Sequence, residues 1–355
     1  MFEVDPVTRE TINAWPIADA GLPTRVINSV KAANVRTVGE LRRWPDSDLL
    51  KLRSLGKVSL DQIHYFYKLC SRVEKSIQRF NSINEVLDIF LDSSQLAVVA
   101  LRYGFHERDL VASRNWMTLQ EIGNRDNKTR ERIRQVEETG KTKLKSRMAS
   151  VCLQPFYSFL REFMTDRAYA IATEELSVLR GHEAFGELNP ASIVLLLSDL
   201  NPDLIVFHHD FFTTLNRPTL RAMESHAMVG LRDSNVPVPV DVLTRGLEPD
   251  PAFRDPAQFE HAMSVIMDHC PDVAATVDGR YFLYASSAAP FLVELLGGLT
   301  GPVHYRKVTS AFNEQVKPRS RKGAGYILEA LNRNPRCSRV DRGIYTLLPG
   351  PAAGP

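Results

Sequence analysis

Residues 128–147 hold eight Lys/Arg and three Glu. On a helical wheel centred on Ile133, Val136 and Leu144 stay to one side. Glu131, Arg134, Gln135 and Glu138 fall on the other arc, with Arg130 and Lys141 toward its edges. Arg forks onto guanine, Gln pairs with adenine and Glu accepts from cytosine. The face therefore suits direct readout in the major groove of double-stranded DNA, with Lys141 as a candidate phosphate contact. A charge run by itself is a solvated helix face. Its setting favours the DNA reading. Thr118-x-x-Glu121 is a capping box, and Thr129 caps the next helix, with Arg132 where a box would hold Glu or Gln. Two helices joined by a tight turn, the second far more basic, have the layout of a helix-turn-helix.

A second basic cluster lies near the C-terminus. Arg306, Lys307, Lys317, Arg319, Arg321 and Lys322 are candidate phosphate contacts along a nucleic-acid backbone. The near-neutral total of 44 Lys+Arg against 42 Asp+Glu conceals this polarity. Residues 102–147 carry 12 basic and 7 acidic side chains, residues 166–300 carry 8 and 19, and residues 301–355 carry 10 and 3. The basic blocks can face a polyanion, and the acidic block is repelled by one.

Other chemistry is excluded by type and spacing. Cys70, Cys152, Cys270 and Cys337 are far apart and form no Cys/His ligand pattern, which fits buried thiols in a reducing compartment. His208-His209 lacks a neighbouring ligand spacing, and adjacent residues of a strand point to opposite faces, so no metal site is expected there. Ser192, Ser286 and Ser287 stand in no nucleophile-elbow context, and no phosphate-binding glycine motif occurs. Trp44 and Trp116 read as packing residues at element edges. The expectation is a protein without catalytic residues, metal, cofactor or small-molecule substrate. The N-terminus MFEVDPVTRE lacks a signal peptide's basic and apolar regions, and no apolar run, neither 96–101 nor 193–197, is long enough to span a membrane. A cytoplasmic protein with no membrane partner is expected.

These residues need elements to position them. Residues 1–75 read as short helices: one capped by Thr24, one by Thr37, one from Asp46-Ser47 to Gly56 and one capped by Ser59. Helices this short must pack as one unit. Residues 78–150 hold the helix-turn-helix. Behind it an internal repeat appears, with PVPVDVLTRGL (237–247) aligning without a gap to PVHYRKVTSAF (302–312). Each is followed by a helical stretch, then Pro271 or Pro335, then VDGRYFL or VDRGIYTL, with turns at Gly279 or Arg342-Gly343. A fainter copy precedes them, with Pro202 before LIVFHHDFFTTL. The fold class expected is mainly α: helical modules including a helix-turn-helix, then tandem winged helices with small β-ribbons. The expected segments are a helical region at 151–228 holding a degenerate winged helix, an acidic winged helix at 229–285, a basic one at 290–349 and a disordered tail at 350–355.

Three segments resemble known families. WMTLQEIGNRDNKTRERIRQVEETGKTKLKSR, with SSQLAVVALRYGF upstream, resembles region 4 of bacterial primary-type sigma factors over roughly residues 82–148. The resemblance implies that Arg130, Glu131, Arg134 and Gln135 contact base edges and that core RNA polymerase is a partner. The sequence departs from that family at Asp126 and Lys128, where apolar residues are usual, and at Gly140, where Ala is usual. Residues 22–63 resemble the C-terminal domain of the RNA polymerase α subunit through R-x-x-N-x-x-K (25–31), TVGEL (37–41) and LGKVSL (55–60). That resemblance implies minor-groove binding to A·T-rich DNA by Arg25, with Asn28, Ser29, Gly56 and Ser59 at the backbone. Val58 stands where that family has Lys. PVHYRKV and RGIYTLL give the repeats a fainter likeness to HARE-type winged helices. The function expected is sequence-specific DNA binding in bacterial transcription initiation, as a sigma-like auxiliary regulator reading a promoter element through residues 129–141. No segment resembles the sigma region that melts promoters. The alternative is a non-enzymatic adaptor, or a DNA-binding subunit of a mobile-element, replication or defence assembly.

Overall fold

Short apolar stripes broken by Pro, Gly and capping residues dictate short helices that are stable only when packed together. The computed structural model describes residues 9–76, 82–107, 117–234, 236–284 and 288–348. Trp116, Ser286, Ser287 and the 350–355 tail lie outside the described residues. The protein divides into two compact units, residues 1–163 with 172–207, and residues 164–171 with 208–355.

The first unit begins with α1 (Arg9–Asn13), α2 (Thr24–Ala32), α3 (Val38–Arg42), α4 (Asp46–Leu49) and α5 (Lys57–Ser76). Val26, Val30, Val38, Leu41, Leu49 and Ile63 are fully buried and form their shared core. The Thr37 cap is present and is a full capping box with Glu40. Two expected caps shift. Pro23 precedes α2, which makes Thr24 its first residue. The helix expected to start at Ser59 starts at Lys57, so Ser59 lies inside its first turn. The helix expected from 46 to 56 stops at Leu49, and Ser54 takes a left-handed conformation (φ 68°) before α5.

Next come α6 (Ile83–Phe90), α7 (Ser93–Tyr103), α8 (Leu119–Asp126) and α9 (Arg130–Leu144). Val98, Ile122, Ile133 and Val136 form a small core joining α7, α8 and α9. Both halves of the Thr118–Glu121 box are made, and Thr129 accepts from the Arg132 amide at 3.2 Å. Between α8 and α9, Asn127 takes a left-handed conformation with φ 53°. Gly123 permits that turn, since a Cβ there would lie 2.7 Å from the Lys128 carbonyl oxygen. Helix α10 (Arg147–Thr165), β1 (Ala170–Ala172), α11 (Pro190–Leu200), β2 (Val206–His208) and β3 (Phe211–Thr213) follow.

The second unit holds the repeat. Its first copy runs α12 (Arg217–Asp233), β4 (Val238–Pro239), α13 (Val240–Leu243), α14 (Pro256–His269), β5 (Val273–Ala275) and β6 (Arg280–Leu283). Its second runs α15 (Ala288–Gly298), β7 (Val303–His304), α16 (Tyr305–Gln315), α17 (Ala324–Arg333), β8 (Cys337–Asp341) and β9 (Ile344–Leu347). The two sheets have matching order, β4-β6-β5 and β7-β9-β8. Register matches as well: Val238 pairs with Tyr281, and Val303 with Tyr345. Both tyrosines are buried. The expected turns fall at Gly279 (φ 80°) and Gly343 (φ 75°), where a left-handed backbone favours glycine. The first copy starts earlier than expected, because α12 opens at Arg217 rather than near 229. A related order occurs once more upstream, as α10, β1, a 3-10 helix at Thr173–Leu179 in place of the second helix, α11, β2 and β3.

The two copies of the second unit share one apolar cluster, with Ala274 and Phe282 of the first against Phe291, Phe312 and Ile327 of the second. Backbone bonds reinforce it: the Lys317 amide donates to Ala275 O at 2.8 Å and the Val277 amide to Gln315 O at 2.9 Å. No helix among the described residues is long and apolar enough to cross a membrane.

Candidate nucleic-acid interface

Capping fixes where α9 begins, and burial of Ile133, Val136 and Leu144 fixes which way it faces. Arg130, Glu131, Arg134 and Gln135 are all exposed. They are organised rather than loose. Arg134 forks onto Glu131 through Nε and Nη2, both at 2.9 Å, and Gln135 donates to the same carboxylate at 3.3 Å. The Arg134 bonds hold the Glu131 carboxyl below its ordinary range, so it stays an acceptor. An exposed pair of this kind contributes little stability. Its effect is to present a guanidinium and a carboxylate in fixed positions on the outer face. Asp126 and Lys128 pair with each other at 3.3 Å beside the turn. That salt bridge accounts for two polar residues where the resemblance predicts apolar ones.

Lys141 departs from the expectation. It is turned inward, 2.8 Å from Glu137 and 3.5 Å from Asp199, with its ammonium 5.2 Å from the Tyr103 ring centroid. Glu137 is only 8% exposed, and Arg102 is its second cation at 3.7 Å. A buried carboxylate needs cations, so Lys141 is held by the interior rather than offered to phosphate. Glu137 is four residues upstream on the same helix, whereas Asp199 lies 58 residues downstream.

On the N-terminal helices, Arg25 Nε donates to Ser54 O at 2.7 Å, and the Ser29 hydroxyl donates to Arg53 O at 3.0 Å. Both side chains thus tie α2 to the loop that leads into α5. Asn28 and Gly56 are exposed, and a Cβ on Gly56 would meet nothing within 4 Å, so a ligand can approach that backbone closely. Ser59 is 6% exposed, which leaves its hydroxyl little room for an outside contact. Arg25, Asn28, Ser29 and Gly56 gather at one end of the helical module, beside the N-terminus of α5.

The second basic cluster is largely consumed by the protein itself. Lys317 Nζ binds both Asp268 oxygens, at 2.7 and 2.6 Å. Lys322 lies 3.6 Å from the Tyr284 ring centroid, and burial lowers its ammonium pKa. Arg319 is 3.8 Å from Asp210, and Arg321 donates to Asn313 O at 3.2 Å. Residues 317–322 therefore join the two copies of the repeat. Of the six expected phosphate contacts, Arg306, Lys307 and Arg321 keep exposed side chains outside every ion pair among the described residues, and Arg321 is tied to Asn313 O. Sequence reasoning missed exposed Arg336, Arg339 and Arg342, which lie at or near the β8–β9 hairpin. Hairpin geometry brings Arg342 near Arg306, since Gly343 O accepts from the Tyr305 amide at 2.8 Å.

The histidine pair also differs from the expectation. The backbone turns at His209 (φ 44°) and Asp210 (φ 75°), so His208 and His209 do not alternate across a strand. Both approach Glu224 of α12, His208 Nε2 at 2.9 Å and His209 Nε2 at 3.5 Å from Oε1.

Residues 5–66 match the family described as the C-terminal domain of the bacterial RNA polymerase α subunit. Among individual proteins, the sequence is 38% identical over 63 residues to the α subunit of DNA-directed RNA polymerase from Carboxydothermus hydrogenoformans. Its identity to the Leuconostoc mesenteroides subunit is the same over the same length. Each match takes in 18% of this protein and 20% of the relative, so the likeness spans about a fifth of the curated relatives' length. The α subunit of Cytophaga hutchinsonii is 43% identical over 47 residues, 13% of this protein and 14% of that one. No solved structure is significantly similar to the protein.

Proposed function

We propose that this protein is a sequence-specific DNA-binding protein of bacterial transcription initiation. In this reading it acts as a sigma-like auxiliary regulator that reads a promoter element through α9. The observation that carries the reading is the exposed, ordered Arg130–Glu131–Arg134–Gln135 face on a helix capped at its start and packed through its back. Arg and Gln on such a face match guanine and adenine edges in the major groove. The likeness of residues 5–66 to the polymerase α C-terminal domain supports the same machine. Arg25, Asn28 and Gly56 lie where that domain would meet an A·T-rich minor groove, in which a narrow width concentrates negative potential. The repeated helix, strand, helix, helix, strand, strand units are winged helices on this reading. In the last of them Arg306, Lys307, Arg339 and Arg342 supply phosphate contacts. Core RNA polymerase is the protein partner.

The test is selection of bound duplexes from a random pool by the full-length protein at moderate salt, followed by pull-down of purified core polymerase. An enriched motif that Arg130→Ala and Arg134→Ala abolish supports the reading. Binding with no enriched motif leaves only backbone attraction. DNA binding without polymerase capture points instead to a mobile-element, replication or defence assembly, and no DNA binding at all leaves the adaptor role.

A further inference from the structure

We infer that His208, His209 and Glu224 form a binding site for a divalent transition-metal ion, best matched by Zn2+. One ligand atom from each residue lies within 4.8 Å of the other two. The two imidazoles converge through Nε2 on the same carboxylate oxygen, at 2.9 and 3.5 Å. Two rings aimed at one point is the arrangement that three ligands take around a shared ion. Two imidazoles and one carboxylate form the borderline donor set that Zn2+ accepts, with a fourth, tetrahedral position left to water. The side chains are 28%, 37% and 19% exposed, so the site is sheltered yet reachable.

The backbone supplies an independent observation. His209 and Asp210 are consecutive non-glycine residues in the left-handed region. Hairpin turns of that kind usually carry Asn-Gly or Asp-Gly. The corresponding turns of the later copies use Gly279 and Gly343. Unfavourable backbone persists where surrounding interactions over-determine it. Here it brings two neighbouring rings, with centroids 3.9 Å apart, onto one side of the backbone. The Asp272 carboxylate also acts on His209 and adds negative potential for a dication, whereas Asp210 is balanced by Arg319. Bound metal would clip the 208–211 turn to α12. That role is structural and independent of DNA reading by α9.

The test uses the untagged full-length protein, stripped with a chelator, then titrated with Zn2+ by calorimetry and with Co2+ by visible spectroscopy. One equivalent binds, four-coordinate Co2+ absorption appears, and Zn2+ at about a hundred times its Kd raises the melting midpoint by roughly 5 °C or more. His209→Asn keeps a residue tolerant of positive φ while removing a ligand. Glu224→Gln keeps the shape but removes the charge. Each lowers affinity at least a hundred-fold, since even outer-shell changes cost 10- to 100-fold. Cys270→Ser, a nearby control, binds as the unchanged protein does. No binding by the unchanged protein, equal binding by both ligand variants, or loss in Cys270→Ser would overturn the inference. DNA affinity that survives chelation separates this result from the fate of the proposed function.

Discussion

The basic run on α9 and the basic run at 317–322 look alike as strings and differ as objects. On α9, Arg130, Arg134 and Gln135 stay exposed, and the one acid they share, Glu131, sits among them on the outer face. At 317–322 the acids and aromatics come from elsewhere in the second unit, Asp268, Asp210 and Tyr284, and the cations turn to meet them. A charge run faces outward only when no opposite charge folds back onto it. The acidic block 166–300 therefore has a use other than repelling DNA, because part of it neutralises the basic block that follows.

The comparison can be broken by mutation. The largest effect belongs to the exposed run: Arg134→Ala should weaken binding to a selected duplex by about 1–3 kcal/mol and relax preference at one base pair. Equal affinity and selectivity, measured by competition gel shift, would remove α9 from the groove. Next is the platform beneath it. Gly123→Ala pushes a Cβ against the Lys128 carbonyl oxygen at 2.7 Å and should cost about 2 kcal/mol of stability, read by urea unfolding. A third experiment contrasts the two kinds of lysine. Lys317→Ala should lose about 1 kcal/mol of stability and leave the salt dependence of DNA binding unchanged. Lys307→Ala should leave stability unchanged and flatten the slope of log K against log salt by about 0.9. The reverse pattern would mean that the two runs had been assigned the wrong way round. The smallest effect is a gain: Gly140→Ala places a methyl 3.5 Å from Leu91 and Gln95, ordinary contact, and should stabilise by about 0.5–1 kcal/mol.

What was legible in the sequence followed the range of the forces involved. Thr118 with Glu121, and Thr129 with Arg132, act over three residues, so the start of α8 and α9 could be read from the string. The repeat was legible because Val238 and Val303 each need a buried tyrosine opposite them, and that need recurs at nearly fixed spacing. The site was legible where a face is defined by its own helix, as for Arg130, Glu131, Arg134 and Gln135. It was not legible where a distant residue decides. Lys317 answers to Asp268 49 residues away, and the histidine pair to Glu224 and a turn that strand alternation does not anticipate. Two helices began earlier than their caps implied, at Thr24 behind Pro23 and at Lys57 rather than after Ser59.

The interlock between the two copies of the repeat bears on how such a protein can change over time. Duplication supplied two similar pieces, yet Phe282 now completes the core around Phe291 and Phe312, and Lys317 completes a sheet edge beside Ala275. A recombination event that carried off the last copy alone would leave a bare aromatic patch on one fragment and its empty socket on the other. Descendants should therefore inherit residues 217–348 whole or lose them whole.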